Sequence, residues 1–284
     1  MHGTRFRYVA LGDSLTEGLG DKNFDVDREG AGWADRLATL IARECAESRV
    51  DVEYANLSVR SRTATAIFGD QVAQALDLRP DLVTIMAGAN DLWRPGARLD
   101  VVEAVVRSAL ERFHGIGTAV VLANTINPAH HWAFRLGIPR SRRMSNLLDG
   151  LAREYNVHLL DVHGSVSLRR QRFWASDMVH FGERGHIHVA NRAAKLLGLS
   201  HRLTVPPFDQ PPRDYQTPRE FVRWIWHHVV PFMLRVIRRV TAGDGVMAKH
   251  ERYVIANPHA WPSRRVTTPD VSRSQGPAVE SVNL

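Results

Sequence analysis

Three side chains of this sequence combine the types that could transfer an acyl group. Ser14 follows an apolar run that ends at Gly12, and a serine hydroxyl is a weak nucleophile until a base removes its proton. His180 offers that base, because an imidazole can accept the proton and return it to a leaving alcohol. Asp177 lies three residues earlier and would hold the imidazole in the tautomer that leaves the base nitrogen free. The three types together predict attack of Ser14 on a carbonyl carbon.

The tetrahedral intermediate of such an attack carries a negative oxygen, which needs fixed hydrogen-bond donors. We expect the backbone N–H of Ser14, the backbone N–H near Ser61 and the side-chain amide of Asn90 to supply them. Loss of one donor of this kind typically costs about 10²–10³ in rate. Asp13 and Asp91, next to these residues, are interpreted as supports that brace the loops and do not react.

The elements between these residues must bring them together. Segments with helical periodicity alternate with apolar runs of strand length at residues 7–11, 52–57, 82–87, 119–124 and 157–162. Strands that alternate with helices indicate crossover connections and a mostly parallel sheet. Since the polar blocks follow strands or precede the last helix, we expect them at the carboxyl edge of that sheet, where open α/β sheets bind ligands.

In type and order, these blocks resemble those of the SGNH or GDSL-type hydrolases. Gly12-Asp13-Ser14-Leu15 is similar to the nucleophile block of that family, Gly88-Ala89-Asn90-Asp91 to its Gly-x-Asn-Asp block, and Asp177-x-x-His180 to its last block. The resemblance covers about residues 7–198, and several blocks in the right order are far more specific than one motif. It implies a flavodoxin-like three-layer α/β/α fold with a five-stranded, mostly parallel sheet in the order 2-1-3-4-5. It also implies esterase, lipase or acyltransferase activity without a metal or an organic cofactor.

One position departs from the family pattern. The second block, residues 56–63, carries Ser61 where the family usually has an oxyanion-hole glycine. The serine keeps its N–H, so the donor survives if the backbone there avoids a positive φ. A conformation that only glycine adopts easily would instead strain Ser61.

Simpler interpretations exist for several of these residues. Ser14 and Glu17 form the Ser-x-x-Glu pattern of a capping box, so the serine could merely cap a helix. Asn90 and Asp91 could merely form a turn after a strand. The order of all the blocks favours the catalytic interpretation over these alternatives.

A metal site is not expected. His186 and His188 lie close to His180 and invite a zinc interpretation, but two residues that are two apart in a helix point to different faces. The chain has one cysteine, Cys45, which excludes an intramolecular disulfide and a Cys-based zinc site.

The composition of the chain limits the kinds of partner and the cellular location that we expect. The chain has 284 residues, of which 44% are hydrophobic and 24% charged, as in ordinary globular proteins. Its net charge of +7 is too dilute to indicate nucleic-acid binding. The N-terminus lacks an apolar run suited to a signal peptide, and no stretch approaches the ~18–20 apolar residues of a spanning helix. We therefore expect a cytoplasmic protein.

We divide the chain into a hydrolase domain at residues 1–204, a Pro-rich linker and amphipathic helical appendage at 205–256, and a disordered tail at 257–284. The pattern between Arg219 and Val240 predicts a helix with one apolar stripe, kinked or broken at Pro231. That stripe could pack against the body as a strap, which we favour. Alternatively, with its Trp and Arg side chains, it could make peripheral contact with anionic lipid.

The leading hypothesis is a serine hydrolase that cleaves small-molecule carboxylic esters through an acyl-enzyme. The alternatives are an acyltransferase with the same three residues and a non-catalytic module that binds a membrane surface. The loops at residues 92–99 and 126–140, with Trp93, Arg94 and the stretch from His130 to Trp132, could line an acyl or leaving-group pocket. The sequence leaves the acyl specificity and the oligomeric state open.

Overall fold

A computed structural model describes residues 5–22, 24, 32–94, 96–207, 218–230 and 242–265. Its centre is a sheet built from six of the strands that the chain forms. In chain order the strands are β1 (Arg5–Gly12), β2 (Asp51–Asn56), β3 (Leu82–Met86), β4 (Ala119–Ala123), β5 (His158–Leu160), β6 (His201–Leu203), β7 (His250–Ile255) and β8 (Ser263–Arg265). β6 and β8 pair with each other outside the central sheet.

The order of the central sheet is β5-β4-β3-β1-β2-β7. Strands β1 to β5 are parallel and have the predicted order 2-1-3-4-5. The sixth strand, β7, runs antiparallel to β2, with Tyr54 opposite Val254. Five strands were expected, because β7 is a block of three polar residues followed by three apolar ones, without the continuous apolar run of the other strands. It also lies beyond the proline-rich stretch, where no crossover pattern points to the sheet.

Helices cover both faces of the sheet and make the predicted three layers. They are α1 (Ser14–Glu17), α2 (Trp33–Ala46), α3 (Ala64–Ala66), α4 (Val72–Leu78), α5 (Leu99–Gly115), α6 (Ile138–Glu154), α7 (Glu183–Leu196) and α8 (Pro218–Trp224). A π-helical turn, Ile67–Gln71, joins α3 to α4, and another, Ile225–Val229, continues α8. The α/β class is therefore confirmed.

Alternation along β1 shows how the two layers of helices are held. Phe6, Tyr8 and Ala10 pack on the face covered by α2 and α7. Val9 and Leu11 pack on the other face, which α3 to α6 cover. Each fully buried large apolar side chain contributes about 1.5–3 kcal/mol. The sheet is thus a fixed platform, and it holds the residues at its carboxyl edge in defined positions.

The last described segment packs back onto this platform. Lys249, just before β7, has a fully buried side chain, and its Nζ donates to Asp35 Oδ2 at 2.9 Å and to the carbonyl of Glu17 at 3.0 Å. β8 pairs with β6, so residues 263–265, inside the predicted tail, form a strand. Residues 208–217 of the predicted linker and 266–284 of the predicted tail lie outside the described residues, and the division at residue 204 stays a prediction.

The predicted appendage helix is present in its first half. α8 and its π-helical turn run from Pro218 to Val229, while Pro231 and the rest of the predicted helix to Val240 lie outside the described residues. In the part of the chain that the structure describes, no helix has both the length and the apolar character needed to cross a membrane.

Candidate active site

The turn at residues 12–14, here called the nucleophile turn after the predicted nucleophile Ser14, begins where β1 ends. Asp13 caps α1, because its Oδ1 accepts a hydrogen bond from the N–H of Leu15 at 3.0 Å. Ser14 is the first residue of α1, so its N–H has no acceptor within the helix. The capping function that the sequence offered to Ser14 is therefore performed by Asp13, and the serine hydroxyl is left for another partner.

Gln71, which the sequence analysis did not identify, holds the same turn from below. Its Nε2 donates to the carbonyl of Gly12 at 2.9 Å, and its Oε1 accepts from the N–H of Gly12 at 2.8 Å. The side chain is buried. The sequence does contain a pattern that could have identified Gln71. Ile67, Gln71 and Ala75 repeat every four residues, which places a polar amide on the core-facing stripe of a helix.

Ser14, His180 and Asp177 form a continuous chain of hydrogen bonds. Ser14 Oγ lies 3.0 Å from His180 Nε2, and His180 Nδ1 lies 2.6 Å from Asp177 Oδ2. Asp177 Oδ1 accepts from the N–H groups of Val179 at 2.9 Å and of His180 at 3.0 Å. The side chains of His180 and Asp177 are about four-fifths buried. This arrangement can take a proton from the serine and stabilise the imidazolium that forms.

The pKa values of two carboxyls in the site are shifted in opposite directions. Burial would raise the pKa of Asp177, but its hydrogen bonds and charge attraction to His180 outweigh burial and lower that pKa to about 2. Burial raises the pKa of Asp13 to about 6, since its partners are chiefly uncharged N–H donors. Burial also raises the pKa of Asp91.

The Asn90 amide lies beside the nucleophile turn but is already engaged. Its Nδ2 donates to Asp13 Oδ2 at 2.9 Å and to the carbonyl of Arg62 at 3.0 Å. An oxyanion that used this amide would have to replace or share one of these acceptors, and the exposed Arg62 carbonyl is the easier one to replace. Asp91 accepts from the N–H of Ala64 at 2.8 Å, which ties the Gly88–Asp91 block to the start of α3.

Glycine is required at Gly88. Its φ is +96°, and a Cβ there would lie 3.0 Å from Met144 Cγ. The block therefore leaves β3 by a turn that an ordinary L residue would strain, which places Asn90 over the sheet edge.

Ser61 has the positive φ that the sequence analysis identified as the point of strain. Its φ is 64°, in the left-handed region, which costs a non-glycine residue about 1–2 kcal/mol. The backbone carbonyl of Ser61 accepts a hydrogen bond from Arg94 Nη2 at 3.0 Å, which holds the loop in place. Ser61 thus has the backbone shape of a glycine position while keeping an N–H.

A second residue missed from the sequence braces that loop. Glu17 is fully buried at the end of α1, and its carboxylate accepts from the N–H of Arg60 at 2.9 Å and from Arg60 Nη2 at 2.6 Å. The helix that carries Ser14 is therefore bonded directly to the residue before Ser61. In the sequence, Glu17 was considered only as the acid of a capping box.

The loop that carries Asp177 is held from outside the sheet. His130 Nε2 lies 2.8 Å from the carbonyl of Met178, and its ring stacks on Trp174 with centroids 3.7 Å apart. Burial lowers the pKa of His130 to about 4, so the ring is neutral at pH 7. The indole N–H of Trp224, on α8, donates to the carbonyl of Asp177 at 2.8 Å.

The loops predicted to line a pocket are only partly brought together. Trp93 packs on Phe134, with centroids 5.4 Å apart, and keeps 40% of its surface exposed. Trp132 is 58% exposed and stacks beside the buried His131. His130 supports the catalytic loop instead of facing solvent.

His186 and His188 diverge. The first is buried with Nε2 3.1 Å from the carbonyl of Leu19, and the second lies 2.9 Å from Ser165 Oγ. Among the described residues, no group of three or more His, Cys, Asp or Glu side chains is arranged to hold a metal ion.

Comparison with known proteins gives a consistent result. The family model described as GDSL-like Lipase/Acylhydrolase matches residues 10–187. A search of curated protein sequences gives no match. A variant of Axe2, an acetyl xylan esterase from Geobacillus stearothermophilus, has a TM-score of 0.58 and 20% identity over 69% of this chain and 96% of its own.

Two other solved structures have the same fold. LAE5, an alpha/beta hydrolase enzyme from the metagenome of Lake Arreo, Spain, has a TM-score of 0.57 and 20% identity over 69% of this chain and 96% of its own. The psychrotrophic esterase EstA from Pseudoalteromonas sp. has a TM-score of 0.52 and 15% identity over 68% of this chain and 96% of its own. Among the Axe2 structures are catalytic mutants in which a histidine, a serine or an aspartate is replaced by alanine.

Proposed function

The chain belongs to the GDSL-like lipase/acylhydrolase family and is a carboxylic ester hydrolase, and from that premise we propose that it works through an acyl-enzyme on Ser14. The observation that carries the proposal is the hydrogen-bonded chain from Ser14 through His180 to Asp177 at the carboxyl edge of the sheet. Three residue types of this kind, mutually oriented, define a serine nucleophile by geometry and not by position in the sequence.

In the first half-reaction, Ser14 Oγ attacks the ester carbonyl while His180 Nε2 takes the hydroxyl proton. The carbonyl oxygen becomes an oxyanion, which receives hydrogen bonds from the N–H of Ser14, the N–H of Ser61 and the amide of Asn90. When the tetrahedral intermediate collapses, the bond to the alcohol oxygen breaks and His180 returns the proton to that oxygen. The alcohol leaves, and the acyl group stays on Ser14.

In the second half-reaction, His180 takes a proton from water as the water oxygen attacks the acyl carbon. The bond to Ser14 Oγ then breaks, and His180 gives the proton back to the serine. The products are the free acid and the original enzyme. Asp177 remains ionised throughout, in agreement with its lowered pKa of about 2, and compensates the positive charge on the imidazolium.

The nucleophile is tested by covalent labelling. A fluorophosphonate probe should modify Ser14 of the wild-type protein, as located by peptide mass spectrometry. Ser14→Ala should lose the label and lower kcat for a nitrophenyl acetate by about 10⁴-fold or more. Ser165→Ala is the matched control, because Ser165 also pairs with a histidine, His188, but has no place in the mechanism. Ester turnover retained by pure Ser14→Ala protein would contradict the proposal.

Short acyl esters are the proposed first substrates, since two of the structurally similar enzymes are described as acetyl xylan esterases. An acetylated sugar, a phospholipid and a chain-length series of nitrophenyl esters should be compared. Acyl transfer to an alcohol is the alternative outcome. It is recognised by a new ester, instead of free acid, when glycerol or a sugar is present.

Peripheral contact with anionic lipid is a second proposal, supported by the outer side of α8. Val222 and Trp226 keep 53% and 66% of their surface exposed, whereas Trp224 between them faces the body. Exposed aromatic and aliphatic side chains beside arginines suit the interface of an anionic bilayer. Binding to phosphatidylglycerol vesicles that Trp226→Ala leaves unchanged would count against this role.

A further inference from the structure

We propose that α8 completes the active site, with Trp224 as a positioning residue for Asp177, the acidic residue that orients His180 and is called here the catalytic acid. α8 lies outside residues 10–187, the part of the chain that the family model matches. The inference rests on the proposed function, in which Asp177 orients His180. It adds to that function a contribution from a segment that the motifs of the sequence did not include.

The contact is direct and buried. Trp224 Nε1 donates to the backbone carbonyl of Asp177 at 2.8 Å, and Trp224 is only 6% exposed. A hydrogen bond to this carbonyl fixes the peptide unit that follows the catalytic acid. The Asp177 carboxylate in turn accepts from two N–H groups further along the same loop, so the orientation of the loop and that of the carboxylate are linked.

This loop needs external support because its backbone is strained. Met178, between the acid and the base, has a φ of 59°, in the left-handed region. That conformation costs a residue such as methionine about 1–2 kcal/mol, so surrounding contacts must maintain it. Two consecutive carbonyls are held, that of Asp177 by Trp224 and that of Met178 by His130. One support comes from the hydrolase body and the other from the appended helix.

The ring of Trp224 packs between defined aromatic neighbours. Its ring contacts His131, with centroids 5.0 Å apart, and meets Phe134 edge-on at 5.8 Å. Val222 and Trp226, two positions to either side, remain largely exposed. The geometry thus directs one indole of α8 to the loop of the catalytic acid.

The decisive variant removes the N–H donor and keeps an aromatic ring. Trp224→Phe should lower kcat for a short nitrophenyl ester by about three- to tenfold, the effect of losing one buried hydrogen bond, while KM stays unchanged. The low-field proton resonance of the hydrogen bond between His180 and Asp177 should weaken or shift in the same variant. Trp261→Phe is the matched control, because the Trp261 ring packs on Arg36, 4.0 Å from its guanidinium carbon, and has no place in the proposed mechanism. It should behave as the wild-type enzyme in both measurements.

Unchanged kcat and an unchanged resonance in folded Trp224→Phe would overturn the positioning role, as would equal losses in Trp261→Phe. If Trp224→Phe does not fold, benzothienylalanine at position 224 keeps the shape of the indole without its N–H, and the same criteria apply. Labelling of wild-type Ser14 by fluorophosphonate distinguishes failure of the Trp224 inference from failure of the proposed function. A labelled wild type with an unaffected Trp224 variant refutes this inference alone, whereas an unlabelled wild type refutes the proposed function.

Discussion

The nucleophile side and the acid side of the site are stabilised in different ways. Around Ser14 the supports come from the sheet and its neighbours, with Gln71 on the peptide of Gly12 and Asp13 capping α1. Around Asp177 they come from His130 and from Trp224, which lies beyond the segment matched by the family model. The turn before Ser14 is thus held by the core, with Lys249 from the C-terminal segment bonded to the end of α1, while Asp177 is held in addition by the appended helix.

The carboxyls of the two sides show the same contrast. Both are largely buried, yet the pKa of Asp13 is raised to about 6 and that of Asp177 is lowered to about 2. The difference is that Asp177 is hydrogen-bonded directly to the imidazole of His180, whereas the hydrogen bonds of Asp13 come from neutral donors and His180 acts on it through charge alone. In the proposed mechanism, Asp177 compensates the charge of the imidazolium while Asp13 only supports a turn, and the two pKa values agree with that division.

The strongest way to test this contrast is to neutralise each carboxyl. Asp177→Asn should lower kcat by about 10³–10⁴-fold, because an amide neither stabilises the imidazolium nor selects the productive tautomer. Asp13→Asn should lose far less, about tenfold, because only hydrogen bonds to Leu15 and Asn90 are altered. Steady-state kinetics on one nitrophenyl ester measures both. Equal losses would show that the two carboxyls do not have separate roles.

Removal of the support below the nucleophile should have the next largest effect. Gln71→Leu leaves the buried N–H of Gly12 without its partner, which costs about 1–3 kcal/mol in the free energy of unfolding. The displaced turn should lower kcat about tenfold to a hundredfold. Urea denaturation and kinetics measure the two effects. Gln74→Leu, at an exposed position three residues later, serves as the control and should change neither.

The support of the acid side should depend on pH. The pKa of His130 is lowered from 6.5 to about 4 in the folded protein, so between these values the unfolded chain binds the proton more readily. The contribution of neutral His130 to the free energy of unfolding is therefore fully present above pH 6.5. It is lost as the pH falls through about 4, by up to roughly 3 kcal/mol. His130→Gln should remove that part of the acid loss, as measured by urea denaturation at pH 7 and 4.5. Exposed His114→Gln should leave the loss intact.

The smallest effect is expected at Ser61. Ser61→Gly should relieve the left-handed backbone and raise the free energy of unfolding by up to about 1 kcal/mol, less the entropy gained by the unfolded chain. Activity should change less than threefold. Ser61→Ala keeps the strain but lacks the hydroxyl, so thermal melting of the pair distinguishes backbone from side-chain effects. A larger gain with alanine than with glycine would contradict the strain argument.

The sequence predicted the fold well because the parallel strands are continuous apolar runs with helices between them. The pattern gave a mostly parallel sheet covered on both faces, whereas the order of β1 to β5 was implied by the family resemblance alone. β7 was missed, since a largely exposed edge strand that is neither a continuous apolar run nor a regular alternation has no signature of its own. Its pairing with β2 depends on contacts between residues about 200 positions apart, which local patterns do not encode.

For the site, the residues with distinctive chemistry could be predicted, and their supports could not. Ser14, Asp177 and His180 were singled out by type and order, and they lie within hydrogen-bonding distance in the structure. Gln71 and Trp224 carry no motif, because an amide on a helix stripe or a tryptophan in an amphipathic segment has many ordinary uses. Their importance comes only from which carbonyl each one reaches.

The buried ammonium of Lys249 has a practical consequence for anyone who shortens this chain. Cutting after residue 204, where the catalytic motifs are complete, would remove the cation that faces Asp35 and the strand that covers β2. A buried carboxylate without its counter-charge and an uncovered sheet edge both favour misfolding and aggregation. The smallest soluble and active form of this enzyme should therefore extend at least through β7.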